Sequence, residues 1–283
     1  MNLRKIGVVG AGTMGHGIAQ TCAVAGLDVV MIDLHEAAVL HGLAAITTSL
    51  DRMLKKDKIV AADKDAALQR VHGTTDLDAV RDCDLVIEAA TENERIKHEI
   101  LQEVDRRAKP AAILATNTSS ISITKLAAAT SRPDRFVGIH FFNPVPLMAL
   151  VELVRGLQTS DATVAAAELF AKGLGKTPIV VRNSPGFVVN RMLCPMINEA
   201  IFALGEGLAT PAEIDEAMKL GCNHPIGPLA LCDLIGVDVQ LAVMQVLYEG
   251  FKDSKYRPAP LLVEMVEAGY LGRKSGRGFY TYG

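Results

Sequence analysis

The sequence predicts an α/β domain with a mostly parallel sheet, followed by an all-helical domain. In residues 1–183, short apolar runs rich in β-branched residues alternate with helical spacing, which is typical of β-α-β units. After the Asn-Ser-Pro-Gly segment at 183–186, only helical spacing continues. The length of 283 residues agrees with two domains of about 150 residues each. We therefore expect one domain over residues 1–183 and a second over residues 184–283.

The elements of the first domain begin with a strand over residues 4–9, a glycine-rich turn, a helix over 18–25 and a second strand over 28–33. A long amphipathic helix then runs from Glu36 to Lys58, and its charges crowd toward its end. The further apolar runs are predicted to be buried strands, over 84–88, 112–115, 136–140 and 150–154. Helical spacing between them predicts helices over 92–109 and 124–129.

The second domain is predicted to consist of helices over 187–205, 211–220, 228–249 and 260–268. Several of these segments, including residues 192–197 and 241–244, are apolar on more than one face. A helix of this kind packs on two sides. We therefore expect the second domain to contribute to a substrate site and to join two copies of the chain as a homodimer.

Composition argues against several classes of partner. The formal charge is −3, from 29 basic and 32 acidic residues, which argues against binding to nucleic acid or to an anionic membrane. No apolar run reaches the roughly 18 residues that span a bilayer. The five cysteines are odd in number and have no C-x-x-C spacing, so we expect reduced thiols, no metal site and a cytoplasmic protein.

The turn after the first strand carries the pattern Gly10-x-Gly12-x-x-Gly15. The first glycine allows a tight turn, the second lets a pyrophosphate approach the backbone, and the third lets the helix pack on the strand. Asp33 ends the second strand, where a carboxylate accepts hydrogen bonds from an adenine ribose and would repel a 2′-phosphate. NAD is therefore favoured over NADP. The predicted Rossmann-type dinucleotide site is formed by Gly10, Gly12, Thr13, Met14, Gly15 and Asp33.

His140 lies at the end of an apolar run, at the strand edge where open α/β sheets bind ligands. Glu152 lies inside the next apolar run, and a buried carboxylate is costly unless it is paired. A pair between them would fix the imidazole tautomer and raise its basicity, as a general acid/base near neutral pH requires. The alternative is an exposed glutamate on an edge strand and a structural histidine.

Two further polar positions are candidates for a binding role. The segment Asn-Thr-Ser-Ser at 117–120 follows the apolar run over 112–115, and Asn190 lies on the helix that opens the second domain. Turn and cap chemistry, which serine and asparagine favour, explains both positions equally well. The residues by themselves therefore leave their role open.

Six segments resemble the short-chain L-3-hydroxyacyl-CoA dehydrogenases in order and spacing. They are residues 10–17, 87–92, 116–120, 140–144 (His-Phe-Phe-Asn-Pro), 184–191 (Ser-Pro-Gly-Phe-Val-Val-Asn-Arg) and 271–280. No single segment is specific, but the six in order cover essentially the whole chain and are specific for the family. The resemblance is strongest to bacterial members that act on 3-hydroxybutyryl-CoA.

The resemblance implies roles for individual residues. It makes His140 the general acid/base, Glu152 the carboxylate that orients it, and Ser119 and Asn190 the groups that hydrogen-bond the reacting oxygen. It implies that the nicotinamide cofactor is lined by Glu92, Lys97, Asn117, Ser119, Asn143 and Lys274. It assigns Ser49 and Lys56 to the coenzyme A moiety, whose phosphates a lysine can meet. His16, at a variable position of the glycine turn, is where an altered cofactor preference would arise.

The activity that the resemblance implies is reversible NAD-linked oxidation of an L-3-hydroxyacyl-CoA to a 3-oxoacyl-CoA. His140 would remove the hydroxyl proton in the oxidation and return it in the reduction. Two alternatives remain: a dehydrogenase of a non-CoA hydroxy or sugar acid, such as an L-gulonate 3-dehydrogenase, and a non-catalytic NAD-binding protein of the lambda-crystallin type. The intact set Ser119, His140, Glu152 and Asn190 argues against the second.

Overall fold

The computed structural model describes residues 3–283. Its contacts divide the chain into two compact units, Met1–Asn183 and Ser184–Gly283. The first unit is built on one eight-stranded sheet with helices, and the second is helical, so the predicted fold class is confirmed. The functional roles expected of the two units stay predictions.

The described part of the first unit contains the strands β1 (Lys5–Val9), β2 (Asp28–Ile32), β3 (Val71–Thr74), β4 (Leu85–Glu88), β5 (Ile113–Thr116), β6 (Phe136–Phe141), β7 (Leu150–Arg155) and β8 (Thr177–Arg182). Its α-helices are α1 (Thr13–Val24), α2 (Glu36–Lys55), α3 (Ala61–Arg70), α4 (Glu94–Arg107), α5 (Ile123–Ala127) and α6 (Asp161–Gly173). Short 3₁₀ helices occupy Leu77–Asp82 and Pro133–Arg135.

The sheet has the strand order β3-β2-β1-β4-β5-β6-β7-β8. Strands β1 to β6 are parallel, whereas β7 runs antiparallel to β6 and parallel to β8. The order reverses between β1 and β4, and open α/β sheets bind ligands outside the carboxyl ends of the strands at such a point. The register of the antiparallel pair sets His140 directly opposite Glu152.

The central strands are buried along nearly their whole length. Helices cover a parallel sheet on both faces, which is why these strands read as continuous apolar runs. The apolar pattern did not indicate β3 and β8, because both lie at the edges of the sheet, and most of their residues are not buried. It also did not indicate α3, a polar helix with a single buried residue, Ala67, or α6.

The second unit contains α7 (Val189–Gly205), α8 (Pro211–Cys222), α9 (Pro228–Ile235), α10 (Val237–Phe251) and α11 (Pro260–Glu267), with 3₁₀ helices over Ser254–Tyr256 and Arg273–Ser275. The single helix predicted over 228–249 is wrong, because Gly236 has a φ of 113° and separates α9 from α10. The two helices are bent by 98° at this break. Both contribute to a core with α7 and α11.

Over residues 3–283, no single helix has the length and apolar composition needed to cross a membrane. The bent pair of α9 and α10 passes that test by length and composition only. Apolar residues of both helices, among them Cys232 and Met244, are buried inside the second unit.

Candidate active site

The glycine turn after β1 has the geometry that a dinucleotide requires. Gly10 has a φ of 110°, and a Cβ there would lie 2.6 Å from the Ala89 carbonyl oxygen. A Cβ on Gly12 would meet nothing within 4 Å, so space is open beside the first turn of α1. That turn has no acidic residue, and Gly12 caps it without a side chain, so its N–H groups can meet an anion. The residues present therefore fit a pyrophosphate.

Asp33 is held beside this turn. Its Oδ2 accepts a hydrogen bond from the Ala11 N–H at 2.8 Å. The hydrogen bond keeps a carboxylate close to the place where the ribose of a dinucleotide would follow the pyrophosphate. A negative charge in this position suits ribose hydroxyls and disfavours a 2′-phosphate.

His140 and Glu152 form a buried pair across β6 and β7. The His140 Nδ1 lies 2.7 Å from the Glu152 Oε2, and both side chains are buried. An ionised carboxylate only accepts hydrogen bonds, so Nδ1 carries the hydrogen and Nε2 is the nitrogen that can exchange a proton with a ligand. The Phe142 ring packs against the imidazole with 4.5 Å between the ring centroids. The pair therefore holds the imidazole in one orientation.

Asn117 joins the carboxyl ends of three strands. Its N–H donates to the Glu88 carbonyl oxygen at 2.8 Å, and its Oδ1 accepts from the Phe141 N–H at 2.8 Å. Asn117 thus ties β5 to β4 through its backbone N–H and to β6 through its buried carboxamide, one residue from His140. Asn117 therefore helps to set the position of the strand that carries the imidazole.

A buried polar cluster at the same edge joins the predicted residue Lys97 to Glu88, which the sequence did not single out. Glu88 ends β4 and is 0% exposed, and its Oε2 accepts from the Lys97 Nζ at 2.6 Å. The Thr116 hydroxyl donates to the same oxygen at 2.7 Å, and the Ala90 N–H donates to Oε1 at 2.8 Å. The signal that would have found Glu88 is the one that pointed to Glu152, a carboxylate in an apolar run.

Glu92 connects this cluster to the segment over 117–120. Its Oε1 accepts from the Ser119 N–H at 2.6 Å, and its Oε2 accepts from the Thr118 hydroxyl at 2.8 Å. The Lys97 Nζ lies 3.7 Å from the same Oε2. The predicted site residues Glu92, Lys97 and Ser119 are therefore parts of one network.

A cavity of about 400 Å³ lies in the first unit between α1, α2 and the loop after β6. Three predicted site residues line it together, Thr13 from the cofactor turn, Ser49 from α2 and Asn143 from the loop. His16 lines it as well, and burial followed by the neighbouring imidazole of His41 lowers the pKa of His16 below its usual value. The cavity thus brings predicted cofactor and substrate residues to one place.

The other predicted residues lie elsewhere. Lys56 is exposed directly after α2 and is not part of the cavity lining, whereas Arg52, one turn earlier, is. Asn190 and Lys274 belong to the second unit, where the Lys274 Nζ lies 2.5 and 2.7 Å from the two carboxylate oxygens of Asp238. Within residues 3–283, no group of three or more His, Cys, Asp or Glu side chains could hold a metal ion.

Known proteins match this chain over its whole length. Residues 5–184 match the model "3-hydroxyacyl-CoA dehydrogenase, NAD binding domain", and residues 186–282 match the C-terminal domain of the same family. The 3-hydroxybutyryl-CoA dehydrogenase of Bradyrhizobium diazoefficiens is 55% identical over 280 residues, 99% of this chain and 96% of that protein. The enzyme of that name from Clostridioides difficile is 50% identical over 278 residues, 98% and 99% of the two chains. The solved (S)-3-hydroxybutyryl-CoA dehydrogenase of Ralstonia eutropha is 65% identical, covers 100% of both chains and has a TM-score of 0.98.

Proposed function

The chain belongs to the 3-hydroxyacyl-CoA dehydrogenase family, and from that premise we propose that it interconverts L-3-hydroxybutyryl-CoA and acetoacetyl-CoA. It is an oxidoreductase that uses NAD. The observation that carries the proposal is the buried His140–Glu152 pair, with 2.7 Å between Nδ1 and Oε2, in the unit that also contains the glycine turn. We infer the substrate from the names of the relatives, which are 3-hydroxybutyryl-CoA dehydrogenases.

The residues of the chain divide the chemistry between them. When NAD is bound, its nicotinamide would accept the hydride that leaves C3 of the acyl chain in the oxidation. His140 takes the C3 hydroxyl proton through Nε2 in the oxidation and returns it in the reduction, while Glu152 orients the ring from Nδ1. Ser119 and Asn190 hydrogen-bond the reacting oxygen.

Two sets of residues hold the cofactor and the carrier. The turn residues Gly10, Gly12, Thr13, Met14 and Gly15 receive the pyrophosphate at the start of α1, and Asp33 receives the ribose. Ser49, in the cavity lining, and Lys56, exposed just beyond α2, meet the coenzyme A moiety. The cofactor contacts of Glu92, Lys97, Asn117, Asn143 and Lys274 are part of the same proposal.

An absorbance assay tests the activity. With acetoacetyl-CoA the enzyme is expected to oxidise NADH, and with free acetoacetate or a sugar acid it is not. The H140Q variant controls for contaminating dehydrogenases, and a parallel arm with NADPH tests the cofactor preference. No NADH oxidation with acetoacetyl-CoA at micromolar enzyme would overturn the proposal, and equal rates with a free acid would favour the alternative without CoA.

The proposed assembly is a homodimer formed by the second unit. Its surface within one chain includes large apolar side chains, such as Met192 (71% exposed), Leu208 (78%) and Leu220 (79%). Burying apolar surface of this kind is the usual driving force for association. Analytical ultracentrifugation at micromolar concentration is expected to give twice the chain mass, and a monomer mass would refute the proposal.

A cytoplasmic location is proposed from the cysteines. All five are free thiols in the structure, as is typical of proteins in reducing compartments. Cell fractionation followed by detection of the chain tests it, and recovery from an extracytoplasmic fraction would overturn it.

A further inference from the structure

The loop over 142–149 forms part of the wall of the cavity. It joins β6 to β7, and its residues 143–146 line the cavity together with residues of α1 and α2. Most of the loop is exposed, and the side chains of Leu147 and Met148 are 75% and 41% exposed. A segment with so few buried contacts opens easily unless other bonds hold it. The position of this wall therefore depends on the polar contacts of the loop.

A second cavity, of about 270 Å³, also borders this loop. Pro146 lines both cavities, so there is open space beside the loop in two places. Close packing on all sides is what fixes the position of a segment in a protein interior. Packing alone therefore leaves this part of the loop room to shift.

Lys176 lies between α6 and β8 and holds the loop from one side. Its Nζ donates to the Val145 carbonyl oxygen at 2.7 Å and to the Met148 carbonyl oxygen at 2.8 Å. The N–H of the next residue, Thr177, donates to the Ala149 carbonyl oxygen at 2.8 Å. Residues 176 and 177 thus bind three carbonyl groups of the loop.

The partners of Lys176 are unusual for a buried lysine. Lys97 pairs with two carboxylates, whereas Lys176, which is 9% exposed, donates to backbone carbonyl groups. Burial lowers the pKa of the Lys176 ammonium below its usual value. A buried ammonium costs stability unless hydrogen bonds compensate for the lost water. The two bonds to the loop provide this compensation, so the burial of Lys176 and the position of the loop depend on each other.

We propose that Lys176 is a positioning residue, which holds the loop over 142–149 in the shape that the cavity needs to bind the coenzyme A moiety. The inference rests on the proposed function only for the identity of the ligand. Without the ammonium, the loop would move relative to Ser49 on α2, which lines the same cavity. The carrier would then bind more weakly. The pairing of β6 with β7 keeps His140 opposite Glu152 in either case.

A buried threonine at the other end of the same strand pair supplies the matched control. Thr159 is 2% exposed, its hydroxyl donates to the Phe136 carbonyl oxygen at 2.7 Å, and it accepts from the Gly156 N–H at 3.0 Å. It holds the turn after β7 at the amino end of β6, whereas the loop over 142–149 follows the carboxyl end. T159V removes two buried hydrogen bonds and keeps the size of the side chain.

Hydrogen exchange in the ligand-free protein measures the state of the loop. The N–H groups of Leu147 and Met148 both donate to the Pro144 carbonyl oxygen, at 2.9 and 3.0 Å, and close a turn within the loop. Their exchange rates therefore report how often this turn opens. K176M removes the ammonium and keeps an unbranched side chain, and it is expected to speed exchange at both positions about tenfold or more.

Kinetics at saturating NADH measure the effect on the cavity. K176M is expected to raise KM for acetoacetyl-CoA about 3- to 10-fold, as for the loss of one hydrogen bond to the carrier, with kcat within about twofold of wild type. K176R keeps a charged donor, for which the second cavity leaves room, and is expected to restore KM and exchange to within about twofold of wild type. T159V is expected to lower the free energy of unfolding in urea without changing KM or exchange in the loop.

Four results would overturn the proposal. Exchange at Leu147 and Met148 that is the same in K176M and wild type would show that Lys176 does not hold the loop. Faster exchange with an unchanged KM for acetoacetyl-CoA would show that the loop does not shape the site. Equal changes of KM in K176M and T159V would reduce the effect to a general loss of stability. A K176R variant that behaves as K176M would assign the effect to packing rather than to the donated hydrogen bonds.

Two further arms keep the test decisive. If K176M does not fold, K176Q carries the test, because its polar group is one atom shorter and water in the second cavity can solvate it. If the wild type does not oxidise NADH with acetoacetyl-CoA, the proposed function fails, while the exchange measurement still decides whether Lys176 holds the loop.

Discussion

The two units bury carboxylates with different kinds of partner. In the first unit, Glu88 faces Lys97 and Glu152 faces His140, so each carboxylate meets a nitrogen base that can carry a positive charge. Glu88 and His140 lie toward the carboxyl ends of the parallel strands β4 and β6, where sheets of this kind bind ligands. A pair of titratable side chains in such a place can exchange protons or hold a reacting group.

In the second unit, Asp215 and Asp233 are buried against backbone and tyrosine groups. Asp215 accepts from two N–H groups at the start of α9 and from the Tyr280 hydroxyl. Asp233 accepts from the N–H groups of residues 279 and 280 and from the Tyr282 hydroxyl. Burial, followed by the hydrogen bond to Asp215, raises the pKa of the Tyr280 hydroxyl above its usual value. These carboxylates fasten chain segments through backbone and tyrosine donors, whereas Glu152 of the first unit pairs with the imidazole that we propose as the general acid/base.

The largest effect expected from this contrast is on turnover, at His140. Replacing it by glutamine should lower kcat about 10²- to 10⁴-fold, the usual contribution of a positioned general acid/base. The variant should stay folded, because the amide can still donate a hydrogen bond to Glu152. Steady-state kinetics and circular dichroism measure the two properties. Near-normal turnover in H140Q would remove His140 from the chemistry.

The next effect is on stability, at Asp215. D215N weakens hydrogen bonds from two N–H groups and a hydroxyl, and bonds to charged groups contribute about 1.5–3 kcal/mol each. We expect the free energy of unfolding in urea to fall by about 2–4 kcal/mol, with kcat of the folded enzyme near that of wild type. A large loss of kcat without loss of stability would contradict the contrast between the units.

Glu152 should show an intermediate effect. E152Q keeps the shape of the side chain but removes the charge that orients the ring from Nδ1, and loss of an orienting partner of this kind costs about 10- to 100-fold. The activity of E152Q should therefore be lower than that of wild type, and the shape of its pH–activity profile should change. If both activity and profile match those of wild type, the pair has no function.

A smaller effect is expected at the exposed end of α2. K56Q should raise KM for acetoacetyl-CoA about two- to fivefold, because an exposed charge contact contributes about 0.2–1 kcal/mol. KM for NADH should not change. The matched control is K58Q, which replaces an exposed lysine two residues away. Equal effects of the two variants would show that the overall positive charge of this segment, and not a contact made by Lys56, affects KM.

The smallest effect concerns the stability of the first unit in mild acid. Because the pKa of His16 is lowered from about 6.5 in the unfolded chain, the folded chain binds fewer protons just below pH 6.5. The free energy of unfolding therefore falls as the pH drops through this range. H16N should lose less stability than wild type between pH 7.5 and 5.5, and H72N, at an exposed histidine of β3, controls for the loss of any one histidine. Identical slopes for all three proteins would contradict the prediction.

The sequence predicted those features whose signal is local. The glycine spacing after β1 and the carboxylate of Asp33 follow from a strand, a turn and a helix that are contiguous in the chain. Glu152 could be singled out because a charge inside an apolar run needs a partner. The edge strands β3 and β8 could not be predicted in the same way, since exposure removes the apolar pattern.

The network around Lys97 depends on tertiary structure. Lys97 lies in a charged amphipathic helix and has the sequence environment of a surface residue. Its burial follows only from the packing of α4 beside β4 and β5, which places Glu88 and Thr116 around the ammonium. The break at Gly236 could not be predicted from the sequence either, because apolar spacing continues across it and only the backbone conformation ends α9.

The antiparallel ladder of β6 and β7 has a consequence for how the enzyme can vary. The loop over 142–149 joins the two strands, and its residues 143–146 line the cavity. A slip of one residue in the ladder would turn Glu152 to the opposite face from His140, whereas an insertion that keeps the pairing would leave both in place. Loop length can therefore diverge between homologues and reshape the cavity while the His140–Glu152 pair is inherited unchanged.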